Sequence, residues 1–311
     1  MFELYDGYKG VSIYLPGCCI AVRKIGEFGW NMINFFGERL KRVNYMDIPA
    51  SRWYKVIEKR RSRRRYDERL PKGNHLKRIQ SVCENFRPFE SARSVFIQEP
   101  PDNVFKGIIG AYGTIKGAKA FIAFVGNSRH PAVEEQVGYM GEGIVLDAEA
   151  TGMNTCWVGG TFKRELVDSL VNLRKNERVY AITPIGYAQK RLNFEERVMT
   201  GFGLMHRRKS LSETTRGMKK SQWPKWMKLS LEAARVAPSA VNRQPWLFLL
   251  DATSITVAVN DKKLRRESTM SKRLCCGIAM LHIDVGARNA GVKGKWEFLN
   301  PPGVGRFSVN Q

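Results

Sequence analysis

At 311 residues, with 43% hydrophobic and 11% aromatic content, the chain can bury a substantial core, which excludes a disordered polypeptide and leaves one large domain or two of ordinary size. Against 29 Asp and Glu stand 52 Lys and Arg, and the net charge of +23 favours anionic partners: phosphorylated cofactors, nucleic acid or an anionic membrane surface. No window approaches ~20 uninterrupted apolar residues, and Glu3, Asp6 and Lys9 interrupt the start where a signal peptide would be apolar, so neither a membrane span nor a leader is expected.

The six cysteines include the adjacent pairs Cys18-Cys19 and Cys275-Cys276, and none makes a CxxC spacing. They read as reduced thiols of a cytoplasmic protein. The four histidines, at positions 75, 130, 206 and 282, are scattered, so no metal site is expected.

Residues 1–45 read as an N-terminal extension of unknown role, with a short amphipathic helix around Trp30 to Leu40. A start at Met46 is conceivable, because Met46-Asp47-Ile48-Pro49 opens onto the first clear helix; peptides from residues 1–45 in the native protein would reject it. Trp53, Val56 and Ile57 recur at helical spacing over Ala50 to Arg60. Directly after comes Arg60-Arg61-Ser62-Arg63-Arg64. Guanidinium groups make forked hydrogen bonds to phosphate oxygens and a serine hydroxyl can add another, so the cluster reads as an anion site; a solvated basic face or a nucleic-acid patch is the plain alternative.

A second helix is expected over Lys72 to Asn85, broken at Phe86-Arg87-Pro88-Phe89, then strands over Ser94 to Gln98 and Ala118 to Val125. A long helix from Ala132 to Thr151 carries Gly138, Gly141 and Gly143 and stops at Gly152. Asn154 to Phe162 is a strand entering a glycine turn, followed by a helix over Lys163 to Leu170 and a strand over Val179 to Tyr187. Gln189 to Lys220 is polar and basic and reads as a long surface excursion. Beyond it lie a helix over Trp226 to Val236, strands over Pro245 to Leu250 and Ile255 to Val259, an apolar helix over Leu274 to Ala290 closing at Gly291, and a strand over Lys295 to Leu299 that ends the ordered core.

Two halves are visible in this order. Gly138, Gly152 and Trp157 are 14 and 5 residues apart, and Gly277, Gly291 and Trp296 repeat those separations. The order of elements around them also repeats, which favours duplication. The expected division is 1–45 as the extension, 46–222 as a first half and 223–311 as a second, truncated half.

Arg60 to Arg64, Gly152 to Phe162, Pro184-Ile185-Gly186-Tyr187 and Ala233 to Trp246 together resemble the FMN-dependent nitroreductase family, and in particular its tandem variety, in which one chain carries two half-domains as a pseudo-dimer. The resemblance covers about residues 50–300. It implies an α+β fold of two half-domain repeats, each a mainly antiparallel sheet flanked by helices. In the ordinary family one subunit supplies Arg-Arg-Ser and the other Pro-Ser-x-x-Asn-x-Gln-Pro-Trp around each flavin. Here the first half has the former but Asn85 to Phe89 where the latter would stand. The second half has Pro238, Ser239, Asn242 and Gln244 but Lys219-Lys220-Ser221-Gln222 in place of the arginines. One complete site per chain follows.

By resemblance, Arg60, Ser62 and Arg64 hold the FMN phosphate and ribityl chain with Arg61 beside them, and Arg208 is the late basic residue closing on the phosphate. Asn242 reaches the ring or ribityl edge, Pro238 and Ser239 shape its turn, and Gln244 has a structural role. Trp157, Val158, Gly159 and Gly160 line the ring, with backbone N–H groups facing N5 and O4 and Trp157 itself in the core. The implied reaction is ping-pong: NADH or NADPH gives hydride to N5, leaves, and a nitroaromatic or quinone takes its place. The chemistry is flavin-borne and needs no catalytic side chain. The expected partner is thus a small-molecule electron acceptor, with the chain a monomer acting as a pseudo-dimer and with neither membrane nor nucleic acid engaged. Two rivals stand beside this: a basic nucleic-acid-binding protein, and a protein that stores or senses FMN without turnover. No zinc knuckle, RRM or helix-turn-helix signature accompanies the charge, and no GxGxxG follows a strand.

Overall fold

The computed structural model describes residues 11–15, 18–22, 46–100, 103–105, 115–189, 207–260, 268 and 270–309. The chain divides into two compact units, Met1–Asn44 and Tyr45–Gln311. In the first, β1 (Val11–Leu15) and β2 (Cys18–Val22) pair antiparallel. The helix expected at Trp30 to Leu40 and residues 190–206 of the expected excursion lie outside the described residues.

The second unit begins with α1 (Ala50–Ile57) and α2 (Gly73–Asn85). Their apolar stripes at three- and four-residue spacing, Trp53 and Ile57 on one and Ile79, Val82 and Cys83 on the other, are buried. A four-stranded antiparallel sheet follows in the order β3 (Ala92–Gln98), β4 (Ala120–Asn127), β6 (Glu177–Gly186), β5 (Asn154–Thr155). Within it the chain also forms α3 (Val133–Ala150) and α4 (Arg164–Val171).

Part of the expected surface excursion joins the second sheet. Residues 211–217, read from sequence as surface excursion, form α5 (Leu211–Thr214) and β7 (Thr215–Gly217), with Leu211 and Thr214 buried. The local signal was a capping box, Ser210 and Glu213 exchanging hydrogen bonds with each other's backbone, hidden in a polar run. After α6 (Lys225–Arg235), a five-stranded sheet runs in the order β10 (Gly294–Phe298), β11 (Gly303–Val309), β9 (Ser254–Val259), β8 (Trp246–Asp251), β7. Only the β7–β8 pairing is parallel. Strand β11 corrects a second expectation, for the core does not end at Leu299: β11 lies inside the sheet and buries Val304 and Phe307. A register shift between Gly303 and Gly305 breaks its period-two alternation, which is why the segment does not read as a strand.

The fold is α+β, two mainly antiparallel sheets with helices, and the halves meet along α3 and α7 (Lys272–Asn289). Both helices are buried nearly all round. Their ends match: Gly152 and Gly291 take left-handed φ of 80° and 82°, and Met153 N–H and Val292 N–H donate back to Ala148 O and Ala287 O, each at 3.0 Å. Their contact is reciprocal. A Cβ at Gly138 would stand 2.1 Å from Leu274 O, and one at Gly277 would stand 2.0 Å from Glu135 O. Both contacts are related by the same offset of 139 positions, as are the two helix-ending glycines and the two tryptophans, Trp157 and Trp296. The repeat read from sequence is therefore also a repeat of contacts.

Candidate functional site

Anchoring of α1 sets where the arginine cluster starts. Asp147 of α3, fully buried, accepts from Trp53 Nε1 at 3.1 Å and from the Arg78 guanidinium at 2.8 and 2.9 Å. The helix then ends at Ile57 and the chain runs beside β5: Ser62 bridges to Thr155 in parallel and Arg63 N–H donates to Thr155 O at 3.0 Å. Arg60 to Arg64 thus lies alongside the strand leading into Trp157 to Gly160.

Arg60 is 4% exposed, and its Nε and Nη1 have no hydrogen-bond partner among the described residues. A buried guanidinium with idle donors calls for an anion. Arg61 is exposed, with Nη1 donating to the carbonyls of Glu58 at 2.5 Å and Arg60 at 2.9 Å, while Ser62 and Arg64 are half-buried. Glu149 stands near the cluster: burial raises its carboxyl above the usual range, and Arg60, Asn154, Arg61 and Arg63 pull it back.

From the second half, the Ser239–Gln244 turn is held by its own strained backbone. Val241, Asn242 and Gln244 take φ of 50°, 52° and 47°, left-handed values rare for non-glycine residues. Ser239 Oγ accepts from Gln244 N–H at 2.9 Å, Asn242 N–H donates to Ser239 O at 3.0 Å, and Pro238 is buried at the base. Gln244 is structural: it is buried, accepting from Lys209 N–H at 2.8 Å and donating to Arg207 O at 3.0 Å.

Arg208 joins the two halves. Its Nη1 donates to Asn242 Oδ1 at 2.6 Å, while Asn242 Nδ2 donates to Arg207 O at 3.0 Å. Burial first, then the like charges of Arg60 and Arg61, push the Arg208 guanidinium down to about 10, with Glu142 opposing. Arg60 and Arg61 are therefore within electrostatic reach of Arg208, which is hydrogen-bonded to Asn242. The Asn242 side chain bridges Arg207 and Arg208, a use its sequence context does not reveal.

Along Trp157 to Gly160, Val158 exchanges hydrogen bonds with Ile182, N–H to O at 2.9 Å in both directions. The expected strand is thus short: β5 plus this one bridge. Trp157 turns its indole inward, tilted on Phe124 with ring centroids 4.7 Å apart, and donates from Nε1 to Glu142 Oε2 at 2.8 Å. Met270 of the second half fills the space beside Gly159, where a Cβ would come within 2.7 Å of its side chain. Arg243 holds that segment, donating from Nη2 to Met270 O, while its Nε has no partner among the described residues. Sequence reasoning missed Glu142, His282, Glu149, Met270 and Arg243. The polar side chains of Glu142 and His282 inside two apolar helices were the signal that could have pointed to two of them.

Cys83, Cys156, Cys275 and Cys276 are free and buried, and burial pushes the Cys83 thiol up to about 12. Among the described residues no helix is long and apolar enough to cross a membrane.

The family described as "Putative TM nitroreductase" matches residues 52–287. Among solved structures, a putative nitroreductase from Thermotoga maritima MSB8 is similar with a TM-score of 0.58 and 18% identity, over 83% of this chain and 94% of that one; at this identity the likeness is one of fold. A nitroreductase with bound FMN from Bacteroides fragilis NCTC 9343 aligns with a TM-score of 0.38 and 15% identity, over 46% of this chain and 91% of that one. An FMN-dependent nitroreductase from Clostridium difficile R20291 aligns with a TM-score of 0.37 and 16% identity, over 47% and 94%. No curated protein matches the chain.

Proposed function

The chain belongs to the Putative TM nitroreductase family, and from that premise we propose that it is an FMN-dependent oxidoreductase that takes hydride from NADH or NADPH and passes it to an electron-poor acceptor such as a nitroaromatic or a quinone. The observation that carries this reading is Arg60, buried with two idle donors and within electrostatic reach of the Arg208 guanidinium, which is itself hydrogen-bonded to Asn242 of the second half. A phosphate monoester supplies what that arrangement lacks: a compact dianion with several acceptor oxygens.

When bound, the flavin supplies the hydride-accepting and hydride-donating chemistry. The residues of the chain bind and orient. Arg60 would offer its idle Nε and Nη1 donors to the phosphate, Arg61 and Arg208 would add charge, and the Ser62 hydroxyl and Arg64 would complete the cradle. Asn242 acts through Arg208, fixing its guanidinium. Val158 has committed its N–H to Ile182, so Gly159 and Gly160 are the residues with backbone N–H groups left for the edge of a ring. Met270 packs against Gly159. With Arg-Arg-Ser in one half and the asparagine turn in the other, the chain is a pseudo-dimer with one site.

Purified protein reconstituted with FMN should show flavin absorbance, bleach under anaerobic NADH or NADPH, and regain colour on addition of a quinone. No retained flavin would return the arginine cluster to a nucleic-acid role. Flavin that is retained but never bleached would leave storage or sensing.

A further inference from the structure

We infer that Glu142 and His282 are a positioning pair, a thread of hydrogen bonds across the two halves that fixes the indole of Trp157 relative to the helix carrying the Ser239–Gln244 turn. Its bearing on the cofactor rests on the FMN reading above; its internal arrangement does not.

The thread has three links. Trp157 Nε1 donates to Glu142 Oε2 at 2.8 Å, Glu142 Oε1 meets His282 Nε2 at 3.0 Å, and His282 Nδ1 meets Ala233 O at 2.8 Å. Glu142 lies on α3, His282 on α7 and Ala233 on α6, and neither Glu142 nor His282 has any exposure. A carbonyl can only accept, so Nδ1 of His282 carries a proton and donates to Ala233 O. Between Nε2 and Glu142 Oε1 there is then room for one further proton, whether held as imidazolium with carboxylate or as imidazole with carboxylic acid. Trp157 can only donate, so Glu142 Oε2 must accept. Every polar atom of the pair is used once, and the two outer links have fixed directions: Trp157 Nε1 donates to Glu142, and His282 Nδ1 donates to Ala233 O.

Such a pair is a poor way to fill a core. Two apolar side chains of similar volume would be desolvated at less cost, and buried ionisable pairs are weak evidence for stability. What leucines could not supply is direction. The thread runs from the wall beside Gly159 to the last turns of α6, five residues before Pro238, so it sets the separation of the two partial cradles. Glu142 is also within electrostatic reach of Arg208, whose charge it favours.

The experiment uses the full chain with Glu142→Gln, Glu142→Leu and the double variant Glu142→Leu/His282→Leu, read in two ways. Without cofactor, nitrogen NMR should find Nδ1 of His282 protonated. The Trp157 Nε1–H resonance, assigned by its loss in Trp157→Phe, should stay in place in Glu142→Gln, whose amide can accept from Trp157 and donate to His282, and move in the two leucine variants. With cofactor, FMN titration should give Glu142→Gln the wild-type affinity and the double variant an affinity about fivefold to tenfold weaker, even though the double variant regains the part of the stability that Glu142→Leu loses by leaving His282 unpaired. A double variant that regains affinity along with stability reduces the pair to core filling and overturns the inference, as does a His282 bare at Nδ1. If wild-type protein binds no FMN while the Trp157 resonance behaves as stated, the FMN reading fails and the positioning pair stands.

Discussion

Each half places a tryptophan five residues after the glycine that ends its long helix, and the two indoles are used differently. Trp157 donates to Glu142, and two residues on stands Gly159, beside which Met270 of the other half packs. Trp296 has a buried Nε1 without a partner among the described residues, its ring lies 5.2 Å from Phe307, and two residues on stands Phe298, 5.4 Å from Phe89, which in turn lies 5.2 Å from Tyr139. One end of the duplicated frame keeps idle guanidinium donors and small residues. The other is filled by aromatic packing, which gives stability from its own side chains. Duplication supplied two equivalent positions, and the side chains at each decide which can hold a cofactor.

The contrast can be broken at several points. Arg60→Ala should weaken FMN binding by roughly 1.5–3 kcal/mol, the worth of hydrogen bonds to a charged group, while Lys220→Ala, in the run that stands before α6 in place of a second arginine motif, leaves it unchanged; equal losses in fluorescence titrations would mean that both basic runs bind. Asn242→Ala should weaken binding less, by about 1 kcal/mol, because it acts through Arg208.

The helix seam makes the opposite claim, that here the halves are equivalent. Gly138→Ala and Gly277→Ala each drive a methyl into a backbone carbonyl of the facing helix and should each cost about 1–3 kcal/mol in urea denaturation. Similar losses sharpen the symmetry. Tolerance of one and not the other breaks it.

The smallest difference lies at the sheet edges. Arg93 and Glu177 pair at 2.7 Å with little exposure, whereas Arg306 and Glu297 are 3.9 Å apart and exposed. Arg93 in particular holds the Glu177 carboxyl below its ordinary range. A depressed carboxylate stabilises the fold in full above its unfolded value, about 4.3, and loses that contribution as pH falls through the lower folded value. Glu177→Gln should therefore flatten the acid limb of a thermal-stability profile by about 1 kcal/mol, and Glu297→Gln should not.

Much of this was legible in the residues. Helices α1, α2, α3, α6 and α7 and strands β4, β8 and β9 follow from apolar spacing, and the glycines and tryptophans of the repeat disclose the duplication, because periodicity and turn chemistry act over a few residues. Strand β11 and segment 211–217 were not legible, the one because a bulge breaks its alternation and the other because its burial comes from pairing with β8. Tertiary structure alone decided which side chains meet. Arg208 on Asn242 and Met270 against Gly159 join segments remote in sequence, and Glu142 meets His282, 140 residues away, because two long helices pack through facing glycines. A contact of that span leaves no local pattern, since its free energy arises only once the chain has closed on itself.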